Sequence, residues 1–196
     1  MKRLSTIVPA ALLFTLVNCG GGSSDSAPPA PAKASALAYV DATSGTYQLK
    51  KNAALSTPGS HLVLELWGPA GTTGSGATVT LTVDATKATW ANVAPGDAAA
   101  TYVANGTTFA LGAGAPILKA KVTGGTLVAT VAEKGLTAAK ALNGPLLRVA
   151  LDLKAGTGTV VDTPIALSAD AAKCQVLLAD GSMPAVTVAL GVLKAQ

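Results

Sequence analysis

One histidine, two glutamates and two cysteines are the reactive stock of this 196-residue chain. His61 would have to serve any Ser-His-Asp arrangement, because imidazole is the base that takes a hydroxyl proton near neutral pH. Neither a Gly-x-Ser-x-Gly elbow nor a Ser-x-x-Lys motif accompanies it. Glycoside hydrolysis needs two carboxyl groups facing one another across a bond. Glu65 and Glu133 lie far apart in sequence, and most aspartates sit beside Gly, Thr or Ala in turn-like settings. One His and one free Cys cannot build a zinc or haem site, and no EF-hand spacing occurs. The reading therefore names no catalytic residue, no metal ligand and no cofactor. Trp67 is a different kind of candidate. In His61-Leu-Val-Leu-Glu-Leu-Trp67 the alternation places Leu62, Leu64 and Leu66 on one face and Glu65 with Trp67 on the other. An outward indole beside a carboxylate suits stacking on the C–H groups of a sugar. Trp67, Glu65 and Tyr102 are accordingly the candidate binding residues. The plain alternative is that Trp67, next to Gly68-Pro69, closes the end of a strand, while Trp90 lies in the core.

The first residues carry an address. Lys2-Arg3 precede the apolar run Leu4–Val17, which is too short to span a bilayer and has the flanks of a secretory signal. Leu16-Val17-Asn18-Cys19 resembles a lipobox, with Asn18 where Gly, Ala or Ser is usual. That resemblance implies cleavage after Asn18 and acylation of Cys19 by diacylglycerol and palmitate. Three chains exceed the two signals that stable anchoring takes. Gly20–Ser26 is flexible and Ala27–Ala32 stiffens toward polyproline II. The expected organisation is a signal over 1–18, a lipidated tether over 19–35 and a folded domain over 36–196. Gly20, rather than Asp, after the cysteine favours the outer membrane.

Net charge is +4 for the whole chain and near +2 once Lys2 and Arg3 are removed. The remaining lysines are scattered, and no basic patch with interleaved aromatics supports nucleic-acid binding. With Cys19 acylated, Cys174 has no partner for a disulfide and reads as a small buried hydrophobe. Period-two alternation recurs from Leu37 onward. His61–Trp67, Thr78–Val83, Ile117–Thr123, Gly125–Ala132, Leu147–Lys154, Pro164–Ser168, Lys173–Ala179 and Ala185–Leu193 are expected strands. Tyr39 and Tyr47 mark strands near the start, and Thr108–Leu111 a short one. Gly71–Gly76 reads as a glycine-rich turn. Leu136–Leu142 is the one expected helix, stopped by Asn143-Gly144-Pro145. Leu151 belongs in the core.

The order of these runs resembles a family. Gly144-Pro-Leu-Leu-Arg-Val-Ala-Leu-Asp-Leu-Lys154, then Ile165-Ala-Leu167, Leu177–Gly181 and Val186–Gly191 are similar to the C-terminal half of cohesin and of related carbohydrate-binding-module sandwiches. Leu62–Gly68, a glycine-rich turn and Val79–Asp84 resemble the opening strands. The resemblance implies an all-β fold: an antiparallel, jelly-roll, cohesin-like β-sandwich with one short helix, as a monomeric domain. It also implies a non-catalytic interaction module on the membrane with an envelope protein as partner. A carbohydrate-binding module for envelope or extracellular glycan is the alternative, and an enzyme is the reading for which the residues are missing. Replacing Cys19→Ala should abolish labelling by radioactive palmitate and release the protein from the membrane fraction. Unchanged labelling and membrane association of the variant would remove the anchor.

Overall fold

The computed structural model describes residues 28–56, 61–97, 101–109, 117–134 and 138–196. The expected signal, Cys19 and the tether as far as Ala27 lie outside them. The chain divides into a unit over Met1–Ala30 and a compact unit over Pro31–Gln196. The second unit consists of strands β1 (Leu37–Val40), β2 (Tyr47–Lys51), β3 (His61–Trp67), β4 (Thr73–Val83) and β5 (Ala88–Ala91). They are followed by β6 (Ala104–Asn105), β7 (Ile117–Thr123), β8 (Thr126–Ala132), β9 (Lys140–Ala141) and β10 (Pro145–Leu153). The last four are β11 (Leu167–Ala169), β12 (Gln175–Leu178), β13 (Val188–Ala189) and β14 (Val192–Ala195).

Two sheets form the sandwich. The first runs β13-β2-β3-β10-β5, with β6 also on β10, and all its pairs are antiparallel except β13 with β2. In the second, β4 carries β11 and β12 on one side and β8, then β9, on the other, and β7 lies outside β8. β1 and β14 make a separate two-stranded ribbon. Alternation decides which side chains meet between the sheets. Leu62, Leu64 and Leu66 of β3 and Leu147, Val149 and Leu151 of β10 face Val79, Leu81, Leu127 and Val131 in one core, all almost completely buried. Leu151 has no exposed surface, as the sequence led one to expect. Trp90 is in the core with its indole N–H donating to the Gly125 carbonyl at 2.7 Å. Cys174 is buried, and burial pushes its thiol pKa up.

Three expectations need correction. Among the described residues there is no helix. Of Leu136–Leu142, Leu136 and Thr137 lie outside the described residues and Lys140–Ala141 is strand β9 on β4. The Asn143-Gly144-Pro145 signal that suggested a helix end instead introduces β10. Gly71–Gly76 is a turn only through Thr72, because β4 already starts at Thr73. A Cβ at Gly74 would come within 2.5 Å of the Leu177 carbonyl oxygen, and one at Gly76 within 2.9 Å of that of Val131. These glycines let neighbouring backbones approach β4 and do not bend it. The run Ala185–Leu193 is broken into β13 and β14 at Gly191, whose Cβ would meet the Val40 carbonyl oxygen at 1.9 Å. Of Thr108–Leu111, Thr108 and Phe109 form a turn and the remainder lies outside the described residues.

Two turns share one device. Asp84-Ala-Thr-Lys-Ala88 and Asp170-Ala-Ala-Lys-Cys174 each fold so that the N–H groups three and four residues on donate to the aspartate carbonyl. In each the lysine binds the aspartate carboxylate, Lys87 at 2.7 Å and Lys173 at 2.9 Å. The carboxylate of Asp84 also accepts from the N–H and hydroxyl of Thr86. The Lys87 and Thr86 hydrogen bonds lower its pKa from 3.8 to about 2. A carboxylate held below its unfolded value stabilises the fold above that value and loses the effect as pH falls through the folded one. Asp84→Asn should therefore lower Tm relative to the parent above about pH 4, with the difference vanishing as pH approaches 2. Melts across pH 2–6 check this, and a constant difference would assign the effect to something other than the charge.

Candidate functional site

Glu65 and Trp67 lie on the outward face of the first sheet, and strand register decides what surrounds them. β2 and β10 flank β3, so Lys50, Glu65 and Arg148 stand in one cross-strand row and Gln48, Trp67 and Pro145 in the next. Glu65 is 95% buried. One carboxylate oxygen accepts from Arg148 Nε at 2.8 Å and from Asn52 Nδ2 at 2.8 Å. The other accepts from Trp67 Nε1 at 3.2 Å. Lys50 Nζ lies 4.8 Å from the centroid of the Trp67 ring, at cation–π distance. Sequence reasoning placed Glu65 and Trp67 together. It missed Lys50, Asn52 and Arg148, which only the long-range register supplies. The arrangement holds a carboxylate and occupies one face of the indole with an ammonium.

Tyr102 lines a different place, a cleft of about 380 Å³ shared with His61, Trp90, Asn92 and Asp152. His61 Nδ1 is 2.7 Å from Asp152 Oδ1, and Nε2 is 3.3 Å from the Val93 carbonyl oxygen. The pair holds neighbouring strands to the loop after β5, and no serine, threonine or cysteine nucleophile is bonded to the imidazole. His61 and Trp67 are six residues apart on one strand, which is roughly 20 Å at 3.3 Å per residue. Trp67 and the Tyr102 cleft thus occupy opposite ends of the face and form no continuous aromatic platform. Among the described residues no three His, Cys, Asp or Glu side chains converge as a metal site would require.

The outward face of the second sheet is built differently. Opposite the core residues of β4, β8 and β7 stand Thr78, Thr80, Thr130, Val128, Lys119 and Lys121, and no acidic residue lies among the outward positions of these three strands. Thr78 and Thr130 share a hydrogen bond at 2.9 Å, as do Thr82 and Thr126 at 3.0 Å. Val128 is 40% exposed. A flat row of methyl and hydroxyl groups edged by lysine is what this sheet shows to solvent.

No protein-family model matches the sequence, and no curated protein matches it. Solved structures do match the fold. The sixth cohesin of scaffoldin B from Acetivibrio cellulolyticus, in complex with a mutant Cel5 dockerin, aligns at TM-score 0.54 and 15% identity. That alignment covers 76% of this chain and 97% of that one. The second type II cohesin module of the adaptor ScaA scaffoldin, from the same organism, aligns at TM-score 0.56 and 13% identity over 75% and 86%. A cohesin in the CaDoc0917–CaCohA2 complex aligns at TM-score 0.53 and 15% identity over 77% and 100%. At these identities the likeness is one of fold: the chain is an all-β sandwich similar to cohesin modules.

Removing the hub of the outward network should cost far more than removing its aromatic cover. Glu65→Ala leaves the Arg148 guanidinium without its buried partner and should destabilise by about 3 kcal/mol. Trp67→Ala, which removes one hydrogen bond and the Lys50 contact, should cost only about 1–2 kcal/mol. Denaturant unfolding of both variants gives the order, and a Trp67 variant as unstable as the Glu65 variant would place the indole in the core.

Proposed function

We propose that this chain is a lipid-anchored, non-catalytic module that binds another protein through the outward face of β4, β8 and β7. The carrying observation is the contrast between the two outward faces. On the first sheet the polar groups of Glu65, Arg148, Asn52 and Trp67 are spent on one another. On the second, the hydroxyls, Val128 and the lysines face solvent on a regular surface without acid. The cohesin likeness supports the reading, since two of the matched structures are described in complex with dockerins. Acylation of Cys19 would hold the module at the outer membrane on the tether that ends near Ser35. Glycan binding is the second reading, favoured by the cleft that Tyr102 shares with His61 and Asp152. The cover of Lys50 over Trp67 counts against it.

The test compares the parent with Val128→Arg, which sets a long cation in the middle of the face without altering the core. The full chain, immobilised, should retain a specific protein from its own envelope extract, and the variant should lose it at least tenfold. A glycan array probed in parallel should stay blank. Equal retention by parent and variant would remove the face from the interaction. Glycan binding lost in Tyr102→Ala would turn the function to the second reading.

A further inference from the structure

Strand β7 ends its sheet, and among the described residues its one partner is β8. The β7–β8 hairpin turns on two residues, Gly124 and Gly125, with Thr123 opposite Thr126 and Gly124 at φ 60. In a two-residue hairpin the closing pair is hydrogen bonded. No register shift interrupts the ladder from Thr123 to Ile117. The alternation of an antiparallel pair therefore aims the N–H and C=O of Lys121 and Lys119 at β8, and those of Val122, Ala120 and Leu118 at the open edge. Ile117 and Leu118 are 40% and 39% exposed.

Side chains give this edge a preference. Leu118, Ala120 and Val122 share the core face with Val131, Ala129 and Leu127, while Lys119 and Lys121 project outward. Neither lysine is part of an ion pair among the described residues. Edge lysines commonly guard against self-association. Here they do so by register: an antiparallel second copy centred on Lys119, Ala120 or Lys121 sets lysine opposite lysine, and like charges directly opposite repel. The same two charges would welcome carboxylates.

We propose that β7 is a docking edge for an extended segment of another protein, with acidic side chains alternating with aliphatic ones. The added strand would pair with the backbone of Leu118, Ala120 and Val122. Its carboxylates would stand beside Lys119 and Lys121 on the outward face, and its aliphatic groups would extend the core beside Leu118 and Val122. This is separate from the face reading, because Val128→Arg leaves the edge backbone and both lysines in place.

The full chain is titrated by fluorescence anisotropy against two eight-residue peptides, one alternating glutamate with valine and one alternating lysine with valine. The acidic peptide should bind at least tenfold more tightly than the basic one. Its binding should slow hydrogen exchange at the amides of Leu118, Ala120 and Val122. Ala120→Pro removes one outward N–H at an edge position where proline is tolerated, and should weaken binding at least tenfold. The double variant Lys119→Glu, Lys121→Glu keeps the backbone and should reverse the preference toward the basic peptide, which decides the matter should the proline variant fail to fold. Failure of the parent to bind either peptide, equal binding of both, parent-like affinity in a folded proline variant, or unchanged preference in the double variant would each overturn the proposal. So would a parent dimer that the proline variant dissolves.

Discussion

The carboxylate of Glu65 is taken out of water on one side of a strand whose other side is wholly apolar. Burying such a group unpaired is costly enough to unfold a small domain. Arg148, Asn52 and Trp67 meet it at hydrogen-bond distance. The three donors come from β10, from the residue after β2 and from β3 itself, so satisfying one carboxylate fixes three segments side by side. A one-residue slip of β3 would turn Glu65 into the core and Leu64 or Leu66 out of it. Val63 and Ala150, paired across the same two strands, are also fully buried on the outward side. β3 and β10 are thus buried on both faces, and the rest of the first sheet is arranged around them.

That constraint shapes where function can lie. A group bound by three donors has little left to offer a ligand, and an indole under an ammonium offers one face at most. The second sheet has no comparable network. Its outward polar contacts are hydroxyl to hydroxyl, between Thr78 and Thr130 and between Thr82 and Thr126. Such pairs leave lone pairs and methyl groups free and keep the surface flat. A cohesin-like sandwich with one locked face and one open face has its available surface on β4, β8 and β7.

Much of the fold was legible because period-two alternation is a strong local signal. His61–Trp67 and Ile117–Thr123 appear as strands with the expected bounds. The misreadings came where glycine carries two meanings. Gly74 and Gly76 look like turn residues, yet they serve close approach inside β4. Asn143-Gly144-Pro145 looks like the end of a helix, yet it opens β10. The candidate site was legible in part: alternation put Glu65 and Trp67 on one face. Arg148 lies 83 residues from Glu65 in the chain, and no local pattern announces such a pairing. The repeated Asp-Ala-x-Lys turn at Asp84 and Asp170 was a local signal, readable from the i to i+3 charge spacing.

How the sandwich closes its edges completes the account. Long β4 has β11 and β12 along one side and β8 with β9 along the other, so its eleven residues leave little backbone open. On β10, β5 and β6 cover the side away from β3. β2 is closed by the parallel β13, and the chain ends in β14 against β1. Short strands are the means in each case: two to four residues suffice to satisfy an edge without extending the sheet. β7 has seven residues and no such cover among the described ones. Its two lysines make an uncovered edge tolerable to the protein itself, since they oppose pairing with a second copy, while its outward backbone groups remain unsatisfied by protein.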